Sequence, residues 1–516
     1  MSKSKSKKRY MSVAGMVLAI IATDFGFGNS ITGYNQMGYA GIPWYIICGF
    51  VYLLPLAIIF SEYSGAIRVD HGGFYSWLLN SVGEKWAFIG TFMWIGLWVI
   101  SMLQIVSGLG IHFSGLFLGY DTSLNWHLGF LTSNDIEALI GAAFMVFSIF
   151  LVTRGFHQVA MIAMISGAIS LGVIALFAII SVIIFFANHG QLAQPITGVS
   201  SFVKSPNVQF QSPIAIMSFA VYAMFAYGGL EATSGFLDRM KHPRKQFPKA
   251  MMITAASMVC LYVFGIFICG LATNWAHVFK NPKVDLYNNA FYMMANAGDS
   301  LAKALGWSPA TGAMIGRSLV RLLSIGALIP TLGLVAVVSY SPIKGLIAGS
   351  SKDLWPKKIS TFNKHDMPSV ALWIECAVIA GALVLVALTG KTGQEFYQII
   401  VDMNNIAVIA PYTFIAIAFV AFKKRKDIER PIEFLHSMKS VYFTVGVLVV
   451  AMALATLFNL ILPITQHQYA VAFWTFAGPV LFFIISTIMY HLGIMHRARR
   501  MVADNVHYEK HHDVNL

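Results

Sequence analysis

Apolar runs of bilayer length follow one another along almost the whole of this chain, and nothing constrains its fold more. In hydrocarbon every backbone amide and carbonyl needs a partner inside the protein, so each run is expected to be an α-helix. Roughly 20 apolar residues are enough to cross. Twelve runs approach or exceed that length, at about residues 11–33, 42–66, 86–118, 136–152, 159–187, 212–236, 250–273, 311–340, 370–389, 396–422, 441–462 and 470–491. The chain therefore reads as an all-α polytopic membrane protein with 12 transmembrane helices. At 57% hydrophobic and 11% charged residues, it lacks the charge to cover a soluble surface.

The net charge of +13 points to the lipid surface rather than to nucleic acid. Of the 35 Lys and Arg residues, 28 fall in segments assigned to one side of the membrane, and no basic folded domain exists to hold a nucleic acid. That asymmetry predicts that both termini are cytoplasmic and that the basic runs at 3–9 and 496–500 sit against anionic headgroups. The first run, over 20 residues long with no Ala-x-Ala site, reads as a retained helix and not a cleaved leader. The four cysteines lie inside expected spans without metal-ligand spacing. No cofactor is implied, no phosphate-binding loop is present, and no nucleophile–base set shares a depth, so the chain is not read as an enzyme.

Two spans are interrupted. The run at 219–231 carries Gly228-Gly229 and then Glu231, and the run at 24–30 reads Asp-Phe-Gly-Phe-Gly-Asn-Ser. Glycine permits backbone angles that no helix uses. Inside a bilayer a broken helix is tolerated only where protein, a cavity or a ligand meets the freed groups. One such break in each half of a chain is the sequence mark of a carrier's midplane binding site. The breaks lie five spans apart, which is what two inverted five-helix repeats followed by two peripheral helices would produce. The expected divisions are a basic N-terminus at 1–10, a first repeat at 11–187, an outer loop at 188–211, a second repeat at 212–422, peripheral spans at 423–491 and a tail at 492–516.

The stretch Phe225-Ala-Tyr-Gly-Gly-Leu-Glu231, followed by Lys241-His-Pro-Arg-Lys-Gln-Phe-Pro-Lys-Ala250, resembles the sixth-helix signature of the amino acid–polyamine–organocation transporters. Glu62 with Asp70-His-Gly-Gly-Phe-Tyr-Ser-Trp77 resembles their second-helix and first-inner-loop signature. Within that superfamily, Phe25-Gly-Phe-Gly-Asn-Ser30, Ile89-Gly-Thr-Phe-Met-Trp94 and Ser341-Pro-Ile-Lys344 are most similar to the glutamate/γ-aminobutyrate antiporter branch, which includes bacterial amino acid/biogenic amine exchangers. The resemblance implies a LeuT-like 5+5 inverted repeat and alternating access around a central site. It also implies that the substrate docks on unwound backbone at Phe27, Gly28 and Asn29 and at Tyr227, Gly228 and Gly229. By the same likeness Gly96 and Ser101 would face the cavity.

The charged and aromatic residues in the spans complete the candidate set. Asp24, one turn before Gly28, is expensive in a helix centre and suits a substrate amine, or else it is a structural acceptor. Asp402, with Asn404 and Asn405 beside it, lies toward the distal end of the expected pocket or at its solvated mouth; two acids would suit a dication. Glu231 is either a proton or pH sensor or a gate-stabilising acceptor, and Glu62 is read as a brace. Phe225, Tyr227, Trp94 and Trp98 either stack on the substrate or belong to the scaffold. Arg317 and Arg321 need acids or carbonyls nearby. The resulting expectation is an antiporter of the bacterial inner membrane, monomeric or homodimeric, that exchanges an amino acid or cationic amine for its decarboxylated product. A proton-coupled amino acid permease is the alternative.

Overall fold

The first apolar run is two helices, not one. In a computed structural model, which describes residues 10–67, 73–388, 403–404, 407, 409–465 and 467–512, α1 (Val13–Asp24) stops where Phe25 and Gly26 become extended. Helix α2 (Phe27–Met37) begins at once. Ser12 caps α1 by accepting the Gly15 amide at 3.0 Å. At the break the Phe25 amide returns to Ile21 O, and the Asp24 carbonyl accepts the Tyr262 hydroxyl at 2.8 Å. Protein groups thus replace the lost helix bonds, as the absence of water demands.

Beyond α2 the chain turns at Gly38, where φ is 55°, into α3 (Gly41–Cys48), a π-helical turn (Gly49–Leu53) and α4 (Leu54–Ala66). The widened turn sits just ahead of Pro55, which lacks an amide hydrogen and crowds the preceding turn. Helices α5 (Gly73–Val82), α6 (Glu84–Ser107), α7 (Leu109–Leu118), α8 (Ser133–Val152) and α9 (Phe156–Ala187) follow. The second break comes after α10 (Pro213–Phe225), which opens on a Ser212 cap with proline in its first turn. A turn at 226–229 ends at Gly229, with φ 130°, and a 3₁₀ helix (Leu230–Arg239) completes the run. The remaining helices are α11 (Pro243–Ala272), α12 (Trp275–Phe279), α13 (Asn289–Ala304), α14 (Pro309–Gly349), α15 (Ser369–Ala387), α16 (Ile409–Lys424), α17 (Met438–Thr465) and α18 (Tyr469–His512).

The two broken runs lie antiparallel. At one end the Met11 amide, ahead of α1, donates to Arg239 O at the close of the 3₁₀ helix, 2.9 Å away. At the other end Ser205, ahead of α10, donates to Gln36 O in the last turn of α2, also at 2.9 Å. Helix α1 packs on α9, α11 and α14, while α17 rests on α10 and α18 on α6. Among the described residues ten helical stretches are long and apolar enough to cross a membrane, one of them the kinked Phe27–Ala66. Strand pairing among the described residues is limited to isolated bridges. The basic run at 3–9, the Asp70-His-Gly part of the loop signature, Asp402 and Asn405 lie outside the described residues.

Candidate functional site

The two breaks meet at Asp24. Its Oδ1 packs so tightly on Gly229 that a Cβ there would overlap it. Glycine is thus required at 229 twice over, by backbone angle and by the carboxylate. Thr23 Oγ1 lies 2.9 Å from Asp24 Oδ1 and 2.7 Å from Ile20 O, and its single proton serves one of them at a time. Asp24 Oδ2 is buried and has no hydrogen-bond partner among the described residues. An unmade hydrogen bond of this kind costs about 1–3 kcal/mol, and more for a charged group.

A cavity of about 320 Å³ adjoins this junction. One wall is built from Asp24, Phe27, Gly28 and Asn29 of the first break and Phe225 and Gly228 of the second. The facing wall is Trp98, Ser101 and Gln104 of α6, His112 of α7, and Tyr287 just ahead of α13. The Phe27 and Gly28 amides that open α2 have no intrahelical acceptor, whereas that of Asn29 donates to Gly26 O at 2.9 Å, so this wall carries partial positive charge, while the last carbonyls of α1 carry partial negative charge. An anionic group is therefore favoured at the start of α2 and a cationic one beside Asp24.

Among the described residues the cavity is continued toward the Gln36 end of the bundle. A larger hollow of about 730 Å³ lies on the Gln36 side and shares Asn29, Thr32, Gln104 and Phe225 with it. Toward the other end Glu231 ties three elements together, accepting Trp94 Nε1–H at 2.7 Å and the Tyr412 hydroxyl at 2.8 Å. Below it the Gly235 amide donates to Ser341 Oγ at 2.8 Å, and Lys344 Nζ reaches Asp238 Oδ1 at 2.9 Å. These bonds join the second broken run to α6, α14 and α16.

Several expected positions lie elsewhere. The first break falls at Phe25–Gly26, two residues before the expected unwound stretch, so Phe27, Gly28 and Asn29 form the first turn of α2. Gly96 does not face the cavity: a Cβ there would overlap the Phe482 ring of α18, so its missing side chain lets a peripheral helix approach. Tyr227 is buried behind the wall, its hydroxyl donating to Tyr45 O at 2.9 Å. Gly229 backs onto Asp24 and Glu231 lies under the floor, so neither forms part of the cavity lining. Trp94 is fixed in the scaffold by Glu231, whereas Trp98 lines the cavity. Gln104, His112 and Tyr287 were not singled out in the sequence. Gln104 is one helical turn beyond Ser101, and that spacing is the signal that would have found it.

Two other membrane charges, Glu62 and Arg321, are held away from the cavity. Glu62 Oε2 accepts Lys423 Nζ at 2.9 Å, and its Oε1 accepts the Phe434 and Leu435 amides at 2.8 Å each. Lys423 also donates to Glu433 at 2.5 Å and Leu435 O at 2.7 Å, so all three ammonium hydrogens are used. Arg321 turns outward to the carbonyls that end α7, 3.3 Å from Leu118 O. Among the described residues no cluster of His, Cys, Asp or Glu has the makings of a metal site.

A family model described as "Amino acid permease" matches residues 9–487, more than nine-tenths of the chain. The chain belongs to the amino acid permease family. The permease is similar to the inner membrane transporter YjeM of Salmonella typhimurium, with 34% identity over 495 residues that cover 96% of this chain and 97% of that one. More distant likenesses are the aspartate/glutamate permease AcaP of Lactococcus lactis subsp. cremoris, 20% identical over 81% of this chain and 80% of that one. The glutamate/γ-aminobutyrate antiporter of Lactococcus lactis subsp. lactis is 19% identical over 75% and 71%. The permease is therefore a multi-pass bacterial inner-membrane transporter of the amino acid permease type, and not an enzyme.

Proposed function

We propose that the permease carries a small amino acid or amine by alternating access, exchanging it for a related product, with the ammonium held at Asp24. The observation that carries this reading is the unpartnered Oδ2 of Asp24, buried where the two helix breaks face each other beside the cavity. The ligand's ammonium completes the hydrogen bonding of that oxygen. Where the ligand has a carboxylate, the Phe27 and Gly28 amides at the start of α2 receive it. The broken runs then rock against the helices around them. Opening the other side requires the Glu231, Ser341 and Lys344 contacts to part while the α2 side closes.

The positive-inside asymmetry supports both termini lying in the cytoplasm, which makes the open hollow the outer one. The antiparallel broken runs support the twelve-span, five-plus-five repeat. The names of the distant relatives, aspartate/glutamate permease and glutamate/γ-aminobutyrate antiporter, support an amino acid as one of the two ligands.

The second reading, proton-coupled uptake, is favoured by the same oxygen. A proton on Asp24 would remove its buried charge, which an ammonium offsets instead. Preloaded proteoliposomes separate the two. An exchanger takes up label only when unlabelled ligand is inside, whereas a proton-coupled permease fills empty vesicles when the outside is made acidic. Label entering empty vesicles at the preloaded rate would refute exchange.

A further inference from the structure

We propose that Arg317 and Arg321 form a binding site for the phosphodiester of an anionic phospholipid, beside the end of α7. The two residues are one helical turn apart in α14, and both side chains are exposed. Exposed Met314 precedes them and exposed Ile325 follows, so the charges interrupt an apolar stripe. On the neighbouring helix Phe117 and Leu118 are exposed too, as is Tyr120 just past its end. A surface of this kind faces lipid, and an arginine is rarely kept there without a counter-charge.

Among the described residues the protein does not supply one. Arg317 makes no hydrogen bond or ion pair with any of them. Arg321 has only the Phe117 and Leu118 carbonyls, which its Nη2 reaches at 3.5 and 3.3 Å. Both distances exceed the usual charge-assisted bond of about 2.7–2.9 Å. Carbonyls at a helix C-terminus also carry only partial charge. A guanidinium has five N–H donors, so most of the pair's donors are open.

Packing fixes where this happens. Gly119 ends α7 in the left-handed region, with φ 81°, and a Cβ there would come within 2.8 Å of Arg317 Cβ. Further in, Gly115 closes on Ser324, so the end of α7 and the first half of α14 are held together. Tyr120 and Trp307, both exposed at this end, are residue types that settle at headgroup depth. The anions at that depth are lipid phosphates, and the planar fork of arginine matches phosphate oxygens. A zwitterionic headgroup brings an ammonium that two guanidiniums repel, so a net-negative headgroup is selected. Met314, Ile325 and Phe117 offer apolar surface to its acyl chains, which a free phosphate would not use.

The test is equilibrium binding of short-chain phosphatidylglycerol to the purified full-length protein in an uncharged detergent. Phosphatidylcholine of the same chain length and free glycerophosphate are the comparison ligands. Phosphatidylglycerol should bind tenfold or more tightly than either. Arg317→Gln and Arg321→Gln should each weaken it about fivefold, and the double variant more than tenfold, with phosphatidylcholine unchanged. The double variant Lys204→Gln/Lys283→Gln removes the same charge from exposed positions elsewhere and should bind phosphatidylglycerol as wild type does. If Arg321→Gln folds poorly, Arg317→Gln decides, because that side chain has no partner among the described residues to lose. Equal weakening by the lysine and arginine double variants would leave only general charge attraction and overturn the site. Equal binding of phosphatidylglycerol and phosphatidylcholine to wild type would overturn it too. Glycerophosphate binding as tightly as phosphatidylglycerol would overturn the lipid as its occupant.

Discussion

Asp24 and Gly229, more than 200 residues apart in the chain, are in contact through Asp24 Oδ1 and the bare Cα of the glycine. Each lies at an interruption of its own helical run, so the contact joins the two breaks. A carboxylate occupies the space where any other residue at 229 would put a side chain. The consequence is a site in which backbone geometry, and not only side-chain choice, fixes the position of the buried charge.

Gly229→Ala should therefore be harmful out of proportion to one methyl group. The strained φ alone is on the order of 1–3 kcal/mol, and the overlap with Asp24 adds to it. The expected outcome is a lower unfolding temperature for the purified protein and loss of transport. Adding Asp24→Ala should recover part of the stability but none of the transport. Equal unfolding temperatures for wild type and Gly229→Ala would show that the contact is dispensable.

Glu231 acts as a brace under the cavity. Glu231→Ala leaves the Trp94 indole N–H and the Tyr412 hydroxyl without their acceptor, each at about 1–3 kcal/mol. Thermal unfolding should drop clearly, and Glu231→Gln, which keeps one acceptor oxygen, should drop less. Unfolding of Glu231→Ala at the wild-type temperature would show that the brace contributes nothing to stability.

The Glu62–Lys423–Glu433 cluster gives a pH signature outside the transport site. Glu433, in the loop that follows α16, is held below the usual carboxyl range, chiefly by its hydrogen bond from Lys423. A carboxyl depressed in the folded state contributes stability that is complete above its unfolded value, about 4.3, and is lost as pH falls toward the folded one. The unfolding temperature of wild type should fall more steeply than that of Glu433→Gln as pH drops from about 5 to 3. Parallel curves would contradict the assignment.

Glu62→Ala should cost about 3 kcal/mol, because it leaves a buried ammonium and two loop amides short of acceptors. Chemical or thermal denaturation of the detergent-purified variant measures it. A change within about 0.5 kcal/mol would mean that the cluster relaxes around the loss.

Much of the architecture was legible because a bilayer offers the backbone so few options. Long apolar runs had to be helices, and Gly228-Gly229 before Glu231 could hardly be continuous. The first break was harder to place. Gly26 and Gly28 both offer freedom, and of the two it is Gly26 that is extended, as the cap from which α2 restarts at Phe27. The orientation of α6 was only partly legible: Ser101 and Gln104 mark its cavity face, whereas its glycine at 96 looked like cavity and is in fact a seat for Phe482. Asn404 became meaningful only once Ser101 and Gln104 were seen to share it. A hydrogen-bonded chain between distant helices leaves no periodic trace.

The central claim is that the open oxygen of Asp24 receives the ligand's ammonium, and one measurement addresses it most directly. Purified wild type and Asp24→Asn are reconstituted at equal density, loaded with the amino acid or amine that most raises the unfolding temperature of wild type, and supplied with label at a subsaturating concentration. Uptake by Asp24→Asn is expected to be at least tenfold slower, equivalent to about 1.4 kcal/mol, from protein that is equally well folded. Uptake by Asp24→Asn at the wild-type rate would contradict it.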